Sequence, residues 1–319
     1  MHTSTRRVLG ALGKYGTLVF LLVMVVVFSI AKPAIFPTGS NLLLILNSIS
    51  LTAIIAGGLT LVLVVGEFDL SIGSLSSLAG ILCVYMIAQS AVPMPLALAA
   101  ALAFGVLVGL FNGLLVTKAS VNALIATLGT GSVLIGLNYL VSSGRPLAIS
   151  DPSFTNLALG KVMGVPNLVI IMFVVLTVLW LILNRTELGI QMQAVGGNPE
   201  AARMSGILND RVKLIAFGIC GGTAALTGTL LSARLGSGQV TAGEGFLLDS
   251  MAAAFLGSAV MRDGQFHIVG TFIGALTVGV GFSGIVLFGW PTYMQLIFRG
   301  GLLVCAVALA TIARRYSRA

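Results

Sequence analysis

Two carboxylates lie close together in a chain that has few ionisable residues. Glu67 and Asp69 flank Phe68 directly after a long apolar run. Ionisable groups are costly at such a position and usually functional, so both could line or gate a solute path. A local role is the alternative, in which Asp69 caps the following helix with help from Ser71. The residues alone leave both roles open.

Three more charged residues mark the later apolar runs. Glu244 precedes one run and Asp249 opens it, where Asp249 could also cap a helix. Arg299 lies within the last run and needs water or a partner. We expect that partner to be an acidic residue on a neighbouring helix.

Uncharged polar side chains inside apolar runs could supply hydrogen-bond donors and acceptors along a path. The alternative is bonding between helices, worth about 0.6 kcal/mol each on average. These candidates are Asn47, Asn112, Thr127, Asn138 and Gln295.

The remaining reactive side chains do not indicate catalysis. Cys83, Cys220 and Cys305 each lie within an apolar run without a Cys-x-x-Cys pair, which favours packing over metal or redox roles. His2 and His267 are too few and too far apart for a metal site. We find no Walker A loop, dinucleotide-binding fingerprint or nucleophile elbow. We therefore expect no enzyme activity, no metal and no cofactor in this chain.

The composition indicates that membrane helices carry these residues. Of 319 residues, 57% are hydrophobic and only 8% are charged, against about 25% charged in a soluble domain. The 40 glycines fit membrane helices that pack through small residues. The net charge of +8 does not indicate nucleic acid, because the basic residues occupy short gaps between apolar runs.

Apolar runs of membrane-spanning length predict an all-α polytopic membrane helical bundle with about ten transmembrane helices. A helix needs about 20 mainly apolar residues to cross a bilayer. The sequence reads as a single domain over residues 1–319, with a membrane-spanning region at 14–312. The first run could be a secretory signal, but the runs that follow favour an uncleaved helix. The ten runs are 15–31, 42–65, 71–89, 94–116, 122–142, 166–183, 214–233, 247–261, 266–287 and 292–312.

The basic residues predict the orientation. Cytoplasmic loops of membrane proteins carry an excess of Lys and Arg. With the N-terminus inside, twelve basic residues fall in inner segments and four in outer ones, so both termini are expected in the cytoplasm. The inner set is Arg6, Arg7, Lys14, Lys118, Arg185, Arg203, Arg211, Lys213, Arg262, Arg314, Arg315 and Arg318, and the outer set is Lys32, Arg145, Lys161 and Arg234.

The longest inner segment, residues 184–213, is also the longest polar stretch. Asn198 is a good N-cap, Pro199 suits the first helical position, and Gly206 can end a helix of about two turns. This helix could seal the ends of the spans, or it could dock into a groove on a cytoplasmic partner. The physical chemistry of the segment leaves the two roles about even. Residues of the candidate docking helix are Asn198, Pro199, Glu200, Ala201, Ala202, Arg203, Met204, Ser205, Gly206 and Ile207.

Four segments in order resemble the permease subunits of ribose-type (monosaccharide) ABC importers, which depend on a binding protein. GGNPEAARMSGI (196–207) is similar to the cytoplasmic loop signature of that family. The other three are GEFDLSIGSLSSLAG (66–80), NALIATLGTGSVLIGLNYLVSSGRP (122–146) and GEGFLLDSMAAAFLGSAVMRDGQFHIVGTFIGAL (243–276). The likeness departs at Gly189-Ile190, where the family usually has Gly-Arg, at Gly257-Ser258 for Gly-Gly, and at Ser283-Gly284 for Asn-Gly.

The resemblance implies a multi-pass subunit of the bacterial inner membrane that imports a monosaccharide or similar solute. Its implied partners are a second permease copy or paralogue, a cytoplasmic ABC ATPase, often with two nucleotide-binding domains fused in one chain, and a periplasmic sugar-binding protein. ATP and Mg would then bind the ATPase. Residues 184–213 become the coupling loop, and Glu244 and Asp249 could contact the binding protein.

A second function remains open at the level of sequence. A secondary transporter driven by an ion gradient would share the composition and the spans. Such proteins more often carry carboxylates in mid-span, whereas the acidic residues here lie near the ends of runs and in the inner loop.

Overall fold

A computed structural model describes residues 3–260 and 264–317. Two basic residues used to predict the orientation, Arg262 and Arg318, lie outside the described residues. Over those residues the chain forms thirteen helices and four two-residue strands. The helices are α1 Thr3–Ala31, α2 Gly39–Val64, α3 Ile72–Ala88, α4 Met94–Thr117, α5 Ala123–Ser142, α6 Pro152–Leu159, α7 Asn167–Arg185, α8 Glu187–Gly197, α9 Pro199–Met204, α10 Asn209–Leu235, α11 Glu244–Ser258, α12 Ile268–Leu287 and α13 Tyr293–Ser317. The strands are β1 Leu147–Ala148, β2 Lys161–Val162, β3 Val165–Pro166 and β4 Ser237–Gly238.

The long helices confirm an all-α polytopic membrane protein. Among the described residues, six helices are long and apolar enough to cross a membrane: α2, α4, α5, α7, α10 and α12. Shorter apolar stretches occur at Tyr15–Ala31, Ile72–Ala88 and Tyr293–Cys305. Each apolar run found in the sequence overlaps one helix, and α6, α8 and α9 are additional short helices.

The chain divides into two compact units, and α2 passes from one to the other at Ala56–Gly57. The first unit comprises the described residues up to Ala56 and from Leu248 onward. Its apolar core joins α1, α2 and α12, and the Thr17 hydroxyl donates to the Leu256 carbonyl oxygen at 2.9 Å.

The second unit, Gly57–Leu247, is built around α10, which packs along α4 and α3. Glycines allow this close approach. A Cβ at Gly109 would overlap the Phe217 carbonyl oxygen, and one at Gly221 would overlap the carbonyl oxygen of Gly105. The two backbones therefore meet without side chains between them, as small residues allow in membrane helix pairs.

The connection between α5 and α7 contains short helical and strand segments. It contains α6, capped by Asp151, whose Oδ1 accepts from the Ser153 N–H at 2.8 Å. Strands β2 and β3 form a small antiparallel hairpin with Met163 and Gly164 at its tip. Strand β1 pairs with β4, which ties the loop to the end of α10.

Candidate functional site

The polar segment 184–213 begins with a helix, α8, that the sequence analysis missed. The Thr186 hydroxyl accepts from the Gly189 N–H at 3.2 Å and caps the helix. Gln193 then donates from Nε2 to the Leu183 carbonyl oxygen at 2.9 Å, which holds α8 against the end of α7. The segment is therefore mostly helical.

The short helix α9 has the ends that the sequence predicts. Asn198 Oδ1 accepts from the backbone N–H groups of Glu200 and Ala201, at 3.1 and 3.0 Å. Pro199 occupies the first turn, where a missing N–H costs nothing. Beyond the helix, Gly206 adopts a left-handed conformation with φ of +84°, which a glycine tolerates without strain.

Polar contacts hold α9 at the start of α10. The Ile207 N–H donates to the Ala202 carbonyl oxygen at 3.1 Å, and Asn209 Nδ2 donates to the Pro199 carbonyl oxygen at 2.7 Å. Ala202 is 4% exposed, so its methyl group faces the protein. The helix is a fixed projection with one buried side.

Large apolar side chains project from this segment into the surroundings. Met204 is 84% exposed, and Ile190 and Leu208 are each 67% exposed. Glu200 and Arg203 are exposed beside them. The fold buries little of these apolar side chains, as expected of a surface that another protein covers.

The segment is joined to the membrane helices at two places. A Cβ at Gly196 would overlap the Val64 carbonyl oxygen, so α8 lies directly against the end of α2. Lys213 near the start of α10 forms an ion pair with Glu67, and both side chains are about one-fifth exposed. Glu67, just after the end of α2, is therefore held by an ion pair to α10.

A buried polar cluster surrounds the start of α3. Asp69 Oδ1 accepts from the Ser71 N–H at 2.9 Å and from its hydroxyl at 2.6 Å. Asn112 on α4 donates from Nδ2 to the Ser71 hydroxyl oxygen at 2.9 Å. Asp69 thus orders Ser71, the N-cap of α3, but it accepts from no N–H group of the helix itself, so it does not cap α3 directly. Burial raises the pKa of the Asp69 carboxyl above its ordinary value, although the bonds from Ser71 favour the carboxylate.

Helix α5 adds two members to the cluster, Thr127 and Asn138, and both are fully buried. The Thr127 hydroxyl accepts from the Leu70 N–H at 3.0 Å and donates to a carbonyl oxygen of its own helix. Asn138 donates from Nδ2 to the Ser74 carbonyl oxygen at 3.4 Å. Three predicted path residues, Asp69, Asn112 and Thr127, therefore contact residues 70–71, while Asn138 contacts Ser74 from a position eleven residues further along α5.

The cluster is incompletely satisfied. Within the described part of the chain, three of its buried oxygens have no hydrogen-bond partner: Asp69 Oδ2, Asn112 Oδ1 and Asn138 Oδ1. Buried polar atoms are normally paired, and each exception calls for an explanation. Each of these oxygens remains available as a hydrogen-bond acceptor.

In the first unit, Asp249 and Arg299 form a buried ion pair. Their Oδ1 and Nε atoms lie 2.6 Å apart without hydrogen-bond alignment, and the side chains are 10% and 18% exposed. The Arg299 guanidinium also lies 5.7 Å from the centre of the Phe282 ring. Asp249 is five residues inside α11, which begins at Glu244, so the prediction that Asp249 caps this helix is wrong. The expected acidic partner of Arg299 is Asp249.

Three further predicted residues are Asn47, Gln295 and Glu244. Asn47 and Gln295 belong to the first unit, where both are half-buried and Asn47 Oδ1 is buried without a partner among the described residues. Glu244 is exposed at the first position of α11.

Comparison with known proteins decides the family. A family described as "branched-chain amino acid transport system / permease component" matches residues 41–307. The ribose import permease protein of Escherichia coli is 39% identical over 298 residues, which cover 91% of each chain. The chain belongs to the ribose-type family of ABC importer permeases.

Other relatives cover similar lengths of the permease. The ribose import permease protein of Bacillus subtilis is 35% identical and covers 94% of this chain and 93% of its own. The D-allose transport system permease protein of Escherichia coli is 32% identical, with coverages of 93% and 91%. No solved structure matches the chain significantly.

Family membership favours the importer over the ion-gradient transporter. A permease of this family works with an ATPase and a substrate-binding protein, so ATP hydrolysis belongs to a separate component. This agrees with the lack of a nucleotide-binding motif in the permease.

The sequence analysis missed two members of the buried cluster, Ser71 as a bridge and Ser74 as an acceptor. The run of serines in SIGSLSS (71–77) was an available signal, since polar residues seldom crowd one stretch of a membrane helix without a partner.

Proposed function

We propose that this permease forms the membrane path of an ABC importer for a monosaccharide or sugar-like solute. Relatives named for ribose and D-allose support that class, and so does a relative named for L-arabinose, which is 33% identical. The observation that carries the proposal is the fixed helix α9, with exposed Met204 beside a buried Ala202, because it offers a docking projection to an ATPase.

We further propose ten membrane crossings, with both termini in the cytoplasm and a single permease domain in the bacterial inner membrane. The ten apolar runs and the twelve-to-four distribution of basic residues support this topology. The coupling loop, residues 184–213, then faces the ATPase. No cofactor is expected in the permease, and ATP and Mg bind the ATPase.

The coupling helix consists of residues 198–207, together with the exposed side chains around it. Apolar Met204 and Leu208 would enter a groove on the ATPase, while Glu200 and Arg203 would set the register. Ile190 adds an apolar contact where the family usually carries arginine. A second permease copy or paralogue and two nucleotide-binding domains, fused or separate, complete the assembly.

The buried cluster is the proposed inner part of the solute path. Asp69, Asn112, Thr127 and Asn138 would become accessible when the importer opens, and the unused oxygens would accept hydroxyl protons from the sugar. Glu67, Asn47 and Gln295 are proposed as further lining residues. Glu244 is the proposed contact with the binding protein, while the Asp249 side chain is already engaged by Arg299.

Reconstitution tests the function. The permease, its ATPase and the binding protein are placed in liposomes with ATP inside and radiolabelled ribose, D-allose or L-arabinose outside. We expect uptake of at least one sugar that stops when ATP or the binding protein is omitted. Uptake by the permease alone under a proton or sodium gradient would refute the proposal.

Two substitutions at Asp69 distinguish its local hydrogen bonds to Ser71 from a role in the solute path. Asp69→Ala removes the acceptor for two buried donors of Ser71, and we expect a loss of roughly 1–3 kcal/mol in stability. Asp69→Asn keeps an acceptor oxygen, so we expect near-normal thermal stability but several-fold slower uptake.

The matched control is Asp151→Ala, which removes a similar bond at the surface cap of α6 and costs about 1 kcal/mol. Normal uptake by Asp69→Asn would mean that Asp69 only orders Ser71 and does not line the solute path.

A further inference from the structure

Helices α1, α12 and α13 line a half-open apolar cavity of about 240 Å³ in the first unit. Its walls are almost wholly hydrocarbon and include Phe28, Gly284, Phe288, Trp290, Met294 and Phe298. Dry apolar cavities of roughly 150 Å³ in soluble proteins already bind benzene. A cavity of this kind within membrane helices suits a hydrocarbon chain.

Glycine keeps the cavity open. A Cβ at Gly284 would overlap the Phe28 ring, and one at Gly281 would overlap the Phe298 ring. Larger side chains at these positions would fill the cavity or displace its aromatic walls. Trp290, one of the lining residues, is 53% exposed, and tryptophan favours the interface between lipid and water.

A cation lies beside one wall of the cavity. Lys32 follows the last residue of α1, and its Nζ lies 5.6 Å from the centre of the Phe288 ring that lines the cavity. Among the described residues no carboxylate forms an ion pair with Lys32. The cavity thus has an apolar lining and a positive charge beside Phe288, one of its lining residues.

We propose that this cavity binds an acyl chain of an anionic phospholipid, with Lys32 near the phosphate. The charge complements an anionic headgroup, and a lysine beside anionic lipid gives a preference of about five-fold. The lipid would fill the space between α1, α12 and α13. A second copy of the permease over the same opening is the competing occupant.

Tryptophan quenching tests the site, because the chain has only two tryptophans, Trp180 and Trp290. Trp180→Phe leaves Trp290 as the sole emitter in the full-length permease. The protein is reconstituted in bilayers containing phosphatidylglycerol or phosphatidylcholine with brominated chains. These chains quench tryptophan fluorescence on contact. We expect phosphatidylglycerol to quench Trp290 at an about five-fold lower mole fraction than phosphatidylcholine.

Matched variants assign that preference to the site. Lys32→Gln should equalise the two lipids, whereas Lys161→Gln, an exposed lysine in β2, should leave the preference intact. Met294→Phe should fill the cavity and reduce quenching by both lipids. Leu296→Phe, an exposed neighbour on α13 outside the cavity, should not.

Two outcomes would overturn the proposal. Equal quenching by both lipids in the parent protein would mean that no headgroup is selected at Lys32. Absence of quenching by either lipid would mean that protein, such as a second permease copy, covers Trp290.

Discussion

Asp249→Ala is expected to lower the stability of the permease by about 3–5 kcal/mol, because it leaves Arg299 buried without a counter-charge. The two side chains are 10% and 18% exposed, so water compensates little of the loss. The apparent Tm of the detergent-solubilised protein, followed by tryptophan fluorescence, measures the effect. Asp249→Asn combined with Arg299→Gln removes both charges, and we expect it to recover most of the stability.

An exposed ion pair provides the control. Lys118 and Asp210 lie 2.9 Å apart, but their side chains are 68% and 53% exposed. Asp210→Ala should therefore change the stability by less than about 1 kcal/mol. Equal shifts in Tm for Asp249→Ala and Asp210→Ala would show that the Asp249–Arg299 pair is solvated in the protein and stabilises little.

Met204→Asp is expected to weaken association with the ATPase strongly while the Tm of the permease stays unchanged. The side chain is 84% exposed, so the fold does not depend on it. Burying a charge in an apolar groove of the partner would cost about 2 kcal/mol or more, which is roughly 30-fold in affinity. Co-purification of the ATPase and coupled uptake in liposomes measure the loss.

A second methionine makes the control close. Met163, at the tip of the β2–β3 hairpin, is 99% exposed and lies outside the coupling loop. Met163→Asp introduces the same charge, and we expect normal ATPase association. Ala202→Trp tests the buried side of α9, since a bulky side chain at this position should displace the helix. Normal coupling in both Met204→Asp and Ala202→Trp would refute docking through α9.

Local signals predicted the short helix α9 well, because they act over a few residues. Asn198, Pro199 and Gly206 each specify a backbone conformation that the structure adopts. Helix α8 escaped notice because its hydrophobic pattern is weak and its cap, Thr186, follows α7 directly. Thr186 is the only residue between α7 and α8, and a single residue is too short to indicate a helix boundary in the sequence.

Contacts between distant segments could not be predicted in detail. The sequence indicated that Arg299 needs an acid, but only packing of the helices selects Asp249, fifty residues away. The same limit applies to Asn112 and Ser71, which are distant in sequence and 2.9 Å apart between their polar atoms. Hydropathy identified the helices but carries no information on which faces meet.

The glycine contacts between α4 and α10 also bear on how a mechanical signal could travel. Side chains packed between two helices form a layer whose rotamers can change when one helix moves. Where the Gly221 region of α10 rests on the backbone of α4 near Gly105 and Gly109, that layer is missing. A displacement transmitted through α9 to the start of α10 would act on two helices whose backbones are in direct contact. Displacement at the cytoplasmic end would then be carried along the pair with little loss to side-chain rearrangement.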